Sequence, residues 1–153
     1  MLAAGSAAAQ GVSLMGKVVA DITVSIDGYV TGPDPDLAHG LGTGGEPLHV
    51  WALDGDAVDR EVLTAATDAT GAVIMGRRLF DIVDGPHGWT DEMAYGAGLA
   101  AVPPVLVVTR KPPARARLGD RFSFVPDGLA SAVTKGRALA PRTATWCSWA
   151  AAN

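Results

Sequence analysis

The chain reads as an α/β domain built on a mostly parallel central sheet with flanking helices. Three observations point there. Short runs rich in Val and Ile alternate with stretches of helical period. Glycine, proline and aspartate punctuate the joins between them. The chain has 153 residues, 48% of them hydrophobic and 18% charged, which suits one domain with one core rather than a disordered segment.

The elements follow in order. Residues 1–14, "MLAAGSAAAQGVSL", are alanine-rich and carry no Lys or Arg, so they lack the basic start of a secretory signal and read as a disordered tail. Met15 opens what looks like the natural beginning. "KVVADITVSI" (17–26) reads as a buried strand closed by the turn signal Asp27-Gly28. The glycine- and proline-rich segment 32–50 reads as a long loop, of the kind that is usually functional or mobile. Residues 56–70 place Val58, Val62, Leu63 and Ala66 at helical spacing. "GAVIMG" (71–76) is a second strand and "RRLFDIV" (77–83) a short helix. After another glycine-rich loop, "PPVLVVTR" (103–110) and "RFSFV" (121–125) give two more strands. Asp127 is then expected to cap a helix reaching about Ala140.

Composition narrows the function. A net charge of −4 argues against a nucleic-acid surface spread over the whole chain. No apolar run approaches the ~20 residues that span a membrane. The single cysteine, Cys147, has no partner in this sequence for a disulfide or a multi-cysteine metal site, and a reducing, cytoplasmic setting is the default expectation. His39, His49 and His87 lack metal-like spacing and read as loop or rim residues. Neither nucleic acid nor membrane is the expected partner, and a homodimer stays open.

Two strand ends are basic: Gly76-Arg77-Arg78 and Thr109-Arg110-Lys111. Ligands of such sheets sit beyond the carboxyl ends of the strands, and free N–H groups with arginines beside them suit phosphates. From spacing alone, solvated surface charge outweighs a phosphate seat. No GxGxxG follows the first strand and no GxxxxGK[ST] occurs, so neither ordinary nucleotide fingerprint is present. Asp27 stands between two readings, a carboxylate facing the cleft or a turn aspartate bonded locally.

Taken together, "MGKVVADITVSIDGYVTG", "GGEPLHVWA", "GAVIMGRRLFD", "GPHGW" and "VLVVTRKPP" resemble the dihydrofolate reductase-like family. The nearest branch looks like the reductase domain of the bacterial riboflavin-biosynthesis deaminase-reductase. The resemblance covers about residues 15–140. It implies a mixed sheet and hydride transfer from NADPH to a pterin or a pyrimidine-type riboflavin precursor. It implies that Gly76, Arg77 and Arg78 lie against the cofactor phosphates, with Thr109 and Arg110 near the adenosine 2′-phosphate. Val24, Ser25, Asp27 and Gly28 match the family's "SxDG" stretch. That implies Val24 beside the cofactor, Ser25 and Gly28 beside the substrate, and Asp27 as the catalytic carboxylate.

Residues 141–153 depart from the family, which continues here with a buried strand ending in Gly-Gly and then further strands. "PRTATWCSWAAAN" makes a poor strand by composition, so an aberrant tail and a sheet missing its last strands are expected. Back-translation offers a reason. Read from the third base of the Pro141 codon, the permitted residues include Ala-Asp-Arg-Asp-Val-Val-Leu-Met-Gly-Gly. The two Trp codons fix one Val and one Gly without choice. A frameshift near Ala140 is the expected explanation, which leaves a non-catalytic nucleotide-binding module or an inactive fragment as alternatives to the reductase.

Overall fold

The computed structural model describes residues 17–98, 102–140 and 145–149, the last as backbone. The expected tail at 1–14 and the segments 141–144 and 150–153 lie outside the described residues. The architecture is mixed α/β. Strands β1 (Val18–Asp21), β2 (Thr70–Gly76), β3 (Val105–Val108), β4 (Phe122–Val125) and β5 (Thr145–Trp149) form one sheet in the order β1-β5-β2-β3-β4. Every pairing among the described residues is parallel, where the resemblance implied a mixed sheet.

The centre is β2-β3-β4. Residues 71–75 are all buried, as a parallel strand covered on both faces must be. Strand alternation divides these side chains between two layers. Val73, Met75, Val105, Val107 and Phe122 face one way and pack against Phe80 and Val83 of helix α3 (Arg77–Val83). Ile74, Leu106 and Val125 face the other way and meet Ala132 of α4 (Leu129–Leu139). Phe80 is the pivot of the first layer. It meets Phe122 edge-on at 5.0 Å and Phe124 edge-on at 5.2 Å between centroids.

Helix α2 (Ala57–Asp68) begins as its sequence dictates. Asp56 accepts hydrogen bonds from the Val58 and Asp59 amides, and Asp59 reaches back to the Asp56 amide in a capping box. The connection from β3 to β4 carries only a 3-10 turn at Gly119–Arg121. It is pinned instead by side chains. Asp84, just past α3, accepts from the Arg117 and Leu118 amides, and the Arg117 guanidinium donates to the Val83 and Trp89 carbonyls.

Four expectations need correction. The strand expected at 17–26 spans only Val18–Asp21 and none of its residues is buried. The reason is cover: among the described residues β1 is an edge strand paired to β5 alone, and α3 and α4 cover the β2-β3-β4 part, including the other edge strand, β4, but not β1. The segment 32–50 is not all loop. It holds a 3-10 turn at Glu46–His49 and leads into helix α1 (Val50–Asp54), too short for its period to show in sequence. Asp127 does not cap α4. Gly128 takes that position at φ +89°, a left-handed conformation that favours glycine. Finally, the segment read as a poor strand is a strand over Thr145–Trp149. It lies between β1 and β2 and pairs with both.

Candidate functional site

Because the strands run parallel, their carboxyl ends share one edge of the sheet, where such folds place ligands. An open cleft of about 1040 Å³ lies on that edge. Val108, Thr109, Arg110 and Lys111 line it from the end of β3, Pro126, Asp127 and Gly128 from the end of β4, and Arg77 from the start of α3.

Thr109 organises the β3 corner. It is buried, and its amide donates to the Val125 carbonyl at 3.2 Å, tying the ends of β3 and β4. Its hydroxyl accepts from the Lys111 amide at 3.3 Å, which folds Arg110 and Lys111 into a tight turn. That turn carries two cations. Among the described residues, the Arg110 and Lys111 side chains have no hydrogen-bond or ion-pair partner, and Asp127 is the one acidic side chain lining the cleft.

Arg77 is more constrained. Its Nε donates to Asp81 Oδ1 at 2.7 Å, its Nη1 donates to the Lys111 carbonyl at 2.6 Å, and its guanidinium sits 5.8 Å from the Phe80 ring centroid. One side chain thus spans the two basic corners that the sequence singled out. Arg78 points elsewhere. Its Nη2 donates to the Pro35 carbonyl at 3.1 Å, fastening the 32–45 loop to α3, and it does not line the cleft. Gly76 has ordinary extended geometry, with φ −81° and ψ 167°, and a Cβ there would meet nothing within 4 Å. Neither backbone conformation nor crowding requires glycine at this point, which leaves open space beside the strand end.

The Val24–Gly28 segment is not part of this cleft. It leaves the same edge of the sheet beyond β1, in an exposed turn. Ser25 Oγ donates to Asp27 Oδ1 at 2.6 Å and accepts from the Tyr29 amide at 2.8 Å, and Gly28, at φ +89°, donates its amide to the Ser25 carbonyl. Asp27 therefore stands six residues past the end of its strand, bonded to a neighbour within the turn, and not at a buried strand end. Val24 is half exposed. The indole N–H of Trp51 on α1 reaches Thr23 Oγ1 at 3.3 Å and anchors the segment's beginning.

Sequence reading placed Lys111 at a basic strand end but missed Val108, Pro126, Asp127 and Gly128 as lining residues. The signal was present: "VPDG" between a strand and a helical run marks a turn at a strand's carboxyl end. Neither a scan against protein-family models nor a search of curated proteins returns a match to the chain.

Proposed function

We propose that the chain is an NADPH-dependent reductase of the dihydrofolate reductase-like kind, acting on a pterin or pyrimidine-type small molecule. The observation that carries this reading is the cationic cleft. Arg110 and Lys111 present free charges at the carboxyl end of β3, Arg77 joins them from α3, and α4 starts beside them with its first amides unpaired by the helix. This is donor chemistry for phosphate oxygens. Guanidinium and ammonium groups beside a helix start supply charge-assisted hydrogen bonds without a glycine-rich fingerprint. The open space at Gly76 suits a bulky anion passing the end of β2.

These residues fit the phosphates of a dinucleotide. Arg110 and Lys111 would meet a terminal phosphate and Arg77 the bridging one. The bound cofactor supplies the hydride, and the protein supplies position and electrostatics. Arg77, locked against Phe80, would orient the phosphates, and the Thr109 turn would fix the spacing between the two corners.

A second reading, a nucleotide-binding module without turnover, is favoured by one observation. Asp27 and Ser25, the residues assigned to chemistry and substrate, hydrogen-bond to each other in an exposed turn outside the cleft. Titration of the purified chain with NADPH, followed by its fluorescence and by oxidation in the presence of pterin and pyrimidine substrates, separates the two. Binding with oxidation supports the reductase, and binding without oxidation supports the module. No binding removes both.

A further inference from the structure

We propose that Asp81 is a positioning residue of the cleft, holding Arg77 in the orientation that meets a phosphate. The inference rests on reading the cleft as a phosphate site. It begins from an oddity: a carboxylate stands beside a group that should attract anions. Asp81 Oδ1 lies 2.7 Å from Arg77 Nε. The pair does little for its helix. In helices, the acidic residue preceding the basic one is the better order, and here the arginine comes first. A cation in the first turn also opposes the helix dipole. With the two side chains 40% and 29% exposed, the pair adds little to stability.

Orientation is what the pair does accomplish. Asp81 takes the Nε–H, the Lys111 carbonyl takes an Nη1–H, and the Phe80 ring supports the guanidinium. Three contacts in different directions fix a planar group, and the rest of the fork stays open. The Lys111 contact passes that order on to the turn bearing Arg110. Asp81 thereby sets the spacing of both cationic corners, although it does not line the cleft.

The sign of one substitution separates positioning from simple charge. Asp81→Asn removes a negative charge, so charge alone predicts tighter anion binding. Positioning predicts weaker binding, because Arg77 loses a strong acceptor and swings toward solvent. The test is calorimetric titration of wild type, Asp81→Asn and Asp81→Glu with inorganic pyrophosphate and, separately, with NADPH. A melting curve for each variant accompanies the titrations. The expected result is about tenfold weaker binding of both probes by Asp81→Asn. Asp81→Glu is expected to recover most of the affinity, with all melting temperatures close to wild type. Equal or tighter binding by Asp81→Asn overturns the positioning role and leaves the phosphate reading intact. Weaker binding by both variants, accompanied by a large fall in melting temperature, overturns positioning in favour of a fold-supporting role. Failure of wild type to bind either probe overturns the phosphate reading and this inference together.

Discussion

Replacing Phe80 by alanine should be the most damaging single change on α3. Phe80 is 2% exposed and lies between the helix and the sheet, with Phe122 and Phe124 edge-on at 5.0 and 5.2 Å. Truncating a buried phenylalanine costs about 3–5 kcal/mol, the transfer term plus the cavity left behind. Each edge-on pair adds roughly 0.5–1.5 kcal/mol beyond burial. Collapse into the hole is limited, because Met75 and Val107, which share this face of the sheet, are held in strands paired on both sides. The upper part of that range, about 4–5 kcal/mol, is therefore expected. For a domain of ordinary stability, ~5–15 kcal/mol, this approaches unfolding. Urea denaturation should show a lower midpoint with an unchanged slope. Phe80→Leu keeps much of the apolar volume and should recover roughly half of the loss. A loss below about 1 kcal/mol for Phe80→Ala would show that α3 does not seal this face of the sheet, and the packing described for the first layer would be wrong.

Other outcomes follow from the same structure. Asp56→Ala should lower stability by about 1 kcal/mol through loss of the α2 cap, seen as a shift in the urea midpoint; no shift would show that the capping box is not formed. Arg77→Ala should weaken NADPH binding by about 1.5–3 kcal/mol, whereas Arg78→Ala, whose partner is the Pro35 carbonyl, should change it little. An equal loss from both would restore Arg78 to the site. In hydrogen exchange, the amides of Thr145–Trp149 should be protected, since β5 pairs with β1 and β2, and exchange at open-chain rates would contradict the strand. Substituting the shifted reading of residues 141–151, with its Val-Val-Leu-Met run, should raise the melting temperature by several degrees through added apolar burial. An unchanged melting temperature, or resequencing that verifies the present frame in the native gene, removes the frameshift explanation.

Much of the fold was legible because local signals agreed. The Val/Ile run at 71–76, followed by a helical stretch at 77–83, returned as β2 and α3 nearly to the residue. At α2 only the helical period of 56–70 was read, although Asp56 and Asp59, spaced three apart, carried the signal for its cap. What was not legible depended on neighbours. Val18 and Val19 are apolar enough for a buried strand, yet they lie at the sheet edge and stay exposed. Residues 141–153 read as a poor strand taken whole, yet Thr145, Trp146 and Trp149 are themselves strand-favouring, and the backbone of Thr145–Trp149 fills a slot flanked by two parallel strands. At the site, the two basic corners were visible as sequence. That a single side chain, Arg77, joins them was not, because the Lys111 carbonyl is distant along the chain. Asp27 shows the converse: an aspartate at a turn reads the same whether it faces a cleft or a neighbouring serine.

The central claim is that the cleft beyond β3 and β4 holds the phosphates of NADPH. Calorimetric titration of the intact chain with NADPH and NADH, repeated on Arg110→Ala, tests it most directly. The account predicts that the chain binds NADPH more tightly than NADH, and that removing the free Arg110 guanidinium at the mouth of the cleft erases most of that preference, since a charged hydrogen bond to phosphate is worth about 1.5–3 kcal/mol. Equal affinity for the two dinucleotides in wild type, or a preference untouched by Arg110→Ala, would contradict it.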